Sequence, residues 1–188
     1  YAFELAVQRA RSPMRVTCVD KANVFKSMAF FRSVYERVAG DFPDVERDYA
    51  YVDALSMYLL QRPKDYDVLV AENMYGDIIS DLAAGLVGGL GMAPSGDIGP
   101  DAAVFQPSHG TAPDIAGKGL ANPVAMILSA ALMLKWLGDR EDDGDAVQGA
   151  ARIEEAVRCV VSQAGAGTLD IGGTMTTSEL GKAIVEVL

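Results

Sequence analysis

The stretch Arg15-Val-Thr-Cys-Val19 is rich in β-branched residues and predicts a β-strand. An amphipathic segment, Lys26 to Ala39, follows it with apolar residues near helical spacing, and Gly40 is placed to end that helix. A strand followed by a helix is the unit of layered α/β folds. This stretch therefore predicts the fold class of the chain.

The same alternation continues on both sides of this stretch. The patterns predict a helix up to about Arg11, a strand at Tyr49 to Val52, a helix from about Ala54 to just before Pro63, a strand at Asp67 to Ala71 and a helix at Asp77 to Leu86. We expect α/β/α layers with a large mixed sheet flanked by helices.

The second half of the chain begins with loops. Glycine and proline crowd together between Gly88 and Pro100 and again between His109 and Asn122, around one brief strand at Ala103 to Phe105. Long loops in a compact domain are usually functional. Three helices are predicted after them, at Pro123 to about Leu137, Ala146 to Ala164 and Ser178 to Val187.

Composition indicates a globular protein and argues against two classes of partner. Half of the residues, 50%, are hydrophobic and 22% are charged, which is typical of a chain with a core. No apolar run reaches the roughly 18 residues that a membrane helix needs, so no membrane partner is expected. The net charge of −10 and the lack of a basic patch argue against nucleic acid. An enzyme of this charge would need a local cation, either Lys/Arg or a metal, to hold an anionic substrate.

The two cysteines, Cys18 and Cys159, are far apart and show no metal-type spacing. We expect both to be reduced and buried, in a cytoplasmic protein. The chain opens on Tyr1-Ala-Phe-Glu-Leu-Ala6, which resembles the middle of a helix without a cap. We therefore expect that residues precede Tyr1.

Two carboxylates could hold a metal. Asp77 and Asp81 are four residues apart on a predicted helix, so they share one face. Hard oxygen ligands at that spacing suit Mg²⁺ or Mn²⁺. By spacing alone an exposed acidic helix face is the more common explanation.

Polar residues also follow the first two strands. Lys21 and Asn23 come after the strand at Arg15 to Val19, and Asp53 comes after the strand that ends at Val52. Strand ends are where α/β folds bind ligands, and a lysine there could take or shuttle a proton. The alternatives are a solvated loop lysine and a helix-capping aspartate.

The loop from His109 to Asn122 could bind a nucleotide. Its glycines would let backbone N–H groups approach a phosphate or ribose, and Asp114 could accept hydrogen bonds from ribose hydroxyls while repelling a 2′-phosphate. A structural turn is the alternative. The single histidine argues against zinc, and neither a Gly-x-Gly-x-x-Gly nor a Walker motif is present.

Three strings, in order, resemble the isocitrate/3-isopropylmalate dehydrogenase family over the whole chain. They are Val19-Asp-Lys-Ala-Asn-Val24, Asn73-Met-Tyr-Gly-Asp-Ile-Ile-Ser-Asp81 and His109-Gly-Thr-Ala-Pro-Asp-Ile-Ala-Gly-Lys-Gly-Leu-Ala-Asn-Pro123. The resemblance implies that the chain is the C-terminal half of such an enzyme. Residues 1–88 would form most of the smaller, dimer-forming domain, truncated at its N-terminus, and residues 89–188 the C-terminal part of the larger, cofactor-binding domain.

The resemblance also implies roles for individual residues. Asp77 and Asp81 would bind Mg²⁺ or Mn²⁺ together with Asp53 of the partner in a homodimer with shared active sites. Lys21 would be the catalytic lysine, also reaching in from the partner, with Asp53 beside it in the catalytic set. Asn23 would lie near the nicotinamide. The adenosine half of the cofactor would be held by His109, Gly110, Thr111, Ala112, Asp114, Ile115 and Asn122. NADP-using relatives carry Lys and Tyr at the positions of Asp114 and Ile115, so the cofactor implied is NAD.

The implied reaction is oxidative decarboxylation of a small 2-hydroxy di- or tricarboxylate. The segment from Leu86 to Gly99 resembles isocitrate and homoisocitrate members more than isopropylmalate members. In the family, the substrate-binding arginines and the catalytic tyrosine lie upstream, so we expect these 188 residues alone to be inactive. Two alternatives are a non-catalytic regulatory subunit of the same fold and a metal-binding α/β domain without NAD.

Overall fold

A computed structural model describes all residues from Tyr1 to Leu188. The chain divides into two compact units, Tyr1–Ala83 and Ala84–Leu188. The elements that begin before the boundary are α1 (Ala2–Arg9), β1 (Arg15–Asp20), α2 (Lys26–Ala39), β2 (Glu46–Tyr51), α3 (Val52–Gln61), β3 (Val68–Ala71) and α4 (Asn73–Leu86), the last of which crosses it. Those after it are β4 (Pro94–Ile98), β5 (Ala103–Pro107), α5 (Val124–Glu141), α6 (Gly144–Val161) and α7 (Thr177–Val187).

The first unit is built on a parallel sheet of three strands in the order β2-β1-β3. The central strand β1 is buried from Val16 to Asp20, as expected for a parallel strand covered on both faces. Successive side chains point to opposite faces, so Val16 and Cys18 pack with α1 and α2, while Val19 packs with α3 and α4. The predicted α/β fold, with helices flanking a sheet, is confirmed, and the sheet of this unit is entirely parallel.

The second unit has its own small sheet, in which β4 and β5 pair antiparallel. The long helices α5 and α6 pack against each other. Gly138 permits this contact, because a Cβ at that position would lie 2.7 Å from Cγ2 of Val147. The apolar core joins α5, α6 and α7 through Val124, Ala156, Val157, Val160, Leu180 and Ile184.

Several predicted details differ from the structure. The strands form two separate sheets rather than one large sheet. The strand β4 falls in a segment that was predicted to be loop, β2 begins at Glu46 rather than Tyr49, and α4 begins one turn before Asp77. Cys159 is exposed, whereas Cys18 is buried as expected. No helix of the chain combines the length and the apolar character needed to cross a membrane.

Candidate functional site

The carboxyl ends of the three parallel strands lie at one edge of the sheet in the first unit. Asp20 of β1 is in register with Tyr51 of β2, and Val19 of β1 is in register with Ala71 of β3. The loop after β1 and the first turns of α3 and α4 therefore start at this edge. Parallel α/β sheets usually carry their ligand sites there.

Lys21 and Asp53 form an ion pair at this edge. Nζ of Lys21 donates to Oδ1 of Asp53 at 2.5 Å. The side chain of Lys21 is 22% exposed and that of Asp53 is 67% exposed, so the pair is open to solvent on the Asp53 side. The ammonium also lies 5.5 Å from the centroid of the Tyr51 ring, within cation–π range. Two residues predicted separately from strand ends are in contact within one chain.

The pKa of the Asp53 carboxyl is lowered from its ordinary value. The main cause is the hydrogen bond from Lys21, and backbone N–H groups at the start of α3 and the charge of Lys21 add to it. Asp53 lies inside the first turn of α3 and is not its cap, a position held by Tyr51. The carboxyl is thus held in its ionised form, which is the form that ligates cations.

Asp77 and Asp81 lie exposed on α4, four residues apart. No lysine or arginine of the chain pairs with either one. The nearest polar contact is from Nδ2 of Asn73 to Oδ2 of Asp77, at 3.5 Å. Two unpaired carboxylates on one helix face fit a hard divalent cation and leave coordination positions for other oxygen ligands.

Asp53 does not join this acidic pair within a single chain. No group of three or more histidine, cysteine, aspartate or glutamate side chains is arranged to hold a metal ion. The three predicted metal residues are therefore divided, with Asp53 paired to Lys21 and with Asp77 and Asp81 together on α4. Asn23 is exposed in the turn that follows β1.

The predicted adenosine loop lies in the second unit and is mostly exposed. Its path depends on left-handed backbone at Ala112, Gly117 and Gly119, where φ is 44°, 74° and 66°. A short 3₁₀ turn, Pro113–Ile115, presents Asp114 to solvent. Nδ1 of His109 lies 2.9 Å from the carbonyl oxygen of Gly110. In this contact Nδ1 is the donor, because a carbonyl oxygen only accepts.

The first residue of α7 and the segment before that helix hold the far end of this loop. Thr177 donates from its N–H to the carbonyl of Gly119 at 2.8 Å and from its hydroxyl to the carbonyl of Ala121 at 2.5 Å. Nδ2 of Asn122 donates to Oδ2 of Asp170 at 3.0 Å, while Oδ1 of Asn122 accepts from the N–H of Val124. These contacts fix the position of Asn122.

Sequence reasoning missed two groups near these sites. Asp20, directly before Lys21, is fully buried and paired with Arg32. Asp170 holds Asn122 but is 48 residues away along the chain. The signal for Asp20 was available, because an aspartate at the end of a buried strand requires a partner. No local signal connected Asp170 with the loop.

These features define a class, namely α/β proteins with a lysine and carboxylates at the carboxyl edge of a parallel sheet and a glycine-rich loop in a second unit. The family model for isocitrate/isopropylmalate dehydrogenase matches residues 1–184, and the chain belongs to this family. The resemblance carried by the three sequence strings is confirmed.

Individual relatives support this assignment. The chain is 47% identical to the 3-isopropylmalate dehydrogenase of Archaeoglobus fulgidus, a match that covers 100% of this chain and 55% of the relative. It is 48% identical to the isocitrate/homoisocitrate dehydrogenase of Thermus thermophilus, covering 100% of this chain and 53% of the relative. The crystal structure of isocitrate dehydrogenase from Methylococcus capsulatus matches with a TM-score of 0.89 at 46% identity, covering 100% of this chain and 53% of that one. The chain thus spans about half the length of these relatives.

Proposed function

We propose that this chain supplies part of the active site of an NAD-dependent dehydrogenase that oxidises a 2-hydroxy acid with a β-carboxylate and releases CO₂. One observation carries the proposal. Lys21, Asp53 and the helix that bears Asp77 and Asp81 all follow the carboxyl ends of three neighbouring parallel strands. Membership of the family supports the reaction class.

Asp77 and Asp81, with Asp53, would hold Mg²⁺ or Mn²⁺. The cation, when bound, would polarise the substrate hydroxyl and a carboxylate and stabilise developing negative charge. This also meets the need for a local positive charge in a chain of net charge −10.

Lys21 would move the proton of the substrate hydroxyl. As that proton left, the carbon that bears the hydroxyl would give a hydride to NAD⁺, and a β-keto acid and NADH would result. The β-carboxylate would then depart as CO₂ and leave its bonding electron pair on carbon, which would take up a proton. The contact with Asp53 supports this role, because it holds the Lys21 side chain at the edge of the sheet. To accept the proton, the lysine would act as the free amine.

The cofactor would lie along the loop of the second unit. The residues proposed for its adenosine half are His109, Gly110, Thr111, Ala112, Asp114, Ile115 and Asn122, and Asn23 would lie near the nicotinamide. The exposed carboxylate of Asp114 would accept hydrogen bonds from the ribose hydroxyls and repel a 2′-phosphate, which favours NAD over NADP.

A homodimer would complete the metal site. Lys21 and Asp53 of one subunit would reach Asp77 and Asp81 of its partner, with residues 1–88 as the dimer-forming part and 89–188 as the cofactor-binding part. The division of the carboxylates within one chain supports this arrangement. So do large apolar side chains that α3 and α4 leave exposed, namely Met57, Leu60, Met74 and Ile78.

Isocitrate or homoisocitrate is the substrate that we favour over 3-isopropylmalate, on the resemblance of the segment from Leu86 to Gly99. The names of the two curated relatives divide between these substrates. A substrate panel with Mn²⁺ and NAD, run on the full-length protein, decides among them.

The test of the proposal is NAD reduction by the full-length protein and by D77N and D81N variants. We expect each variant to bind Mn²⁺ at least about tenfold more weakly by calorimetry, since each loses a charged ligand. D97N, which neutralises an exposed aspartate of β4, is the matched control. If the full-length wild-type protein binds NAD but does not reduce it, the alternative of a non-catalytic regulatory subunit is favoured. If the full-length wild-type protein does not bind NAD, the proposal is overturned.

The isolated chain offers a second test. Since it spans about half of its relatives, we predict no turnover from these 188 residues alone. Measurable NAD reduction by the isolated chain would contradict this.

A further inference from the structure

Asp20 is a fully buried carboxylate at the end of the central strand, directly before Lys21. Arg32 of α2 meets it with both arms of its guanidinium, from Nε to Oδ2 at 2.7 Å and from Nη2 to Oδ1 at 2.9 Å. A buried carboxylate needs such a partner, and the planar fork of arginine fits it better than any other side chain. The ion pair therefore has a defined geometry.

The same carboxylate shapes the turn that carries Lys21. Oδ1 of Asp20 accepts a hydrogen bond from the N–H of Ala22 at 2.8 Å. On the other side, the carbonyl of Lys21 accepts from the N–H groups of Val24 and Phe25 at 2.9 and 3.0 Å. The backbone of Lys21 is thus held by one hydrogen bond that spans it and two that it accepts.

Arg32 reaches the Lys21 side chain by a second route. The guanidinium carbon of Arg32 and Nζ of Lys21 lie 5.6 and 5.5 Å from the centroid of the same ring, Tyr51. Arg32 also lies 5.1 Å from the centroid of Tyr49. Cation–π contacts of this kind restrict where a ring can lie. The ring that supports the Lys21 ammonium is therefore held in part by Arg32.

We propose that Arg32, acting with Asp20, is a positioning residue that fixes Lys21 for proton transfer, through the turn at Ala22 and through the Tyr51 ring. The inference rests on the proposed function, in which Lys21 moves the proton of the substrate. The hydrogen bonds of the Arg32 side chain go to Asp20 and not to Lys21. Substitution of Arg32 should therefore slow the chemical step without weakening the binding of metal or NAD.

The test compares R32K and R32M in the full-length protein with wild type. R32K keeps the charge that pairs with Asp20 but loses the fork, whereas R32M loses both. We expect kcat to fall about 10- to 100-fold in R32M and less in R32K, with Kd for Mn²⁺ and for NAD unchanged within about twofold. Hydrogen exchange of the Ala22 amide should be faster in R32K than in wild type, and faster still in R32M. R62M is the matched control. Arg62, at the end of α3, also lies over a tyrosine ring, that of Tyr58 at 4.4 Å, and also pairs with an aspartate, Asp65.

Either of two results would overturn the proposal, namely wild-type kcat in a folded R32M or a loss of rate that follows weaker Mn²⁺ or NAD binding. If R32M does not fold, R32K is judged by the same criteria. A wild-type protein without dehydrogenase activity would instead remove the proposed function. In that case exchange at Ala22 still reports whether Arg32 holds the turn, and unchanged exchange in the variants would count against it.

Discussion

Nζ of Lys21 and Oδ1 of Asp53 lie 2.5 Å apart, although the two residues are 32 positions apart in the chain. The parallel register of β1 and β2, which pairs Asp20 with Tyr51, brings them together. The contact joins the proposed proton-moving group to a proposed metal ligand within one chain. The lysine therefore influences the carboxylate before any metal is present.

Replacement of the lysine should raise the pKa of the Asp53 carboxyl. The hydrogen bond from Lys21 is the main cause that lowers it, so in metal-free K21M the pKa should return toward the ordinary value of an aspartate. A lowered carboxyl pKa stabilises the fold above the ordinary value, and this is lost as pH falls through the lowered value. The contribution is thus fully present at neutral pH, and its dependence on pH is confined to acid, from the ordinary pKa of an aspartate downwards. NMR titration of the Asp53 side-chain carbon measures it.

K26M is the control for this titration, since Lys26 is exposed at the start of α2. It should leave the Asp53 titration unchanged. An Asp53 curve in K21M that coincides with that of wild type would show that the ion pair does not form in solution.

The two cysteines should differ in reactivity. Burial raises the pKa of the Cys18 thiol to about 12, and the neighbouring Asp20 adds to the effect, whereas Cys159 is exposed. The thiolate is the reactive form, so at pH 8 a disulfide reagent should label one thiol per folded chain and two after unfolding. C159S should abolish labelling of the folded protein. Rapid labelling of folded C159S would contradict the burial of Cys18.

Elements with local sequence signals were predicted more accurately than elements that depend on residues distant in the chain. The amphipathic run from Lys26 to Ala39 was predicted at its exact bounds, because the period and the following glycine are local signals. The strand β4 was missed because its proline and glycine suggest a loop. The pairing of β4 with β5 explains why Gly96 is a glycine, since a Cβ there would lie 2.9 Å from the ring of Phe105 on β5. That contact depends on a partner strand which the local pattern does not reveal.

The candidate site shows the same limit. Strand ends indicated that Lys21 and Asp53 lie at a ligand-binding edge, but their contact depends on the register of two strands. The buried pair of Asp20 and Arg32 requires α2 to pack on β1. Local patterns alone left the metal and cofactor residues undecided, and agreement of three strings with a family was needed to select them.

Charge reversal at Asp114 should shift the cofactor preference. D114K removes the proposed acceptor of the ribose hydroxyls and places a cation where a 2′-phosphate would lie. In the full-length protein we expect Kd for NAD to rise about 10- to 100-fold and that for NADP to fall. Calorimetric titration of both cofactors measures the change.

E154K serves as the control for D114K, because it reverses an exposed charge on α6. It should leave the ratio of the two dissociation constants unchanged. If D114K binds NAD as tightly as wild type does, Asp114 does not contact the ribose.

The bond between Asp170 and Asn122 should affect cofactor affinity. In D170A the amide of Asn122 loses its carboxylate acceptor at 3.0 Å, and the end of the adenosine loop loses one anchor. The buried hydroxyl of Thr168 loses its acceptor as well, so stability is measured alongside affinity. The bonds from Thr177 to Gly119 and Ala121 remain, so the loop should stay folded. A single hydrogen bond contributes about 1 kcal/mol, which corresponds to about a fivefold rise in Kd for NAD. D97A, which truncates an exposed aspartate of β4, is the matched control. An unchanged Kd for NAD in D170A would show that the bond between Asp170 and Asn122 does not contribute to cofactor affinity.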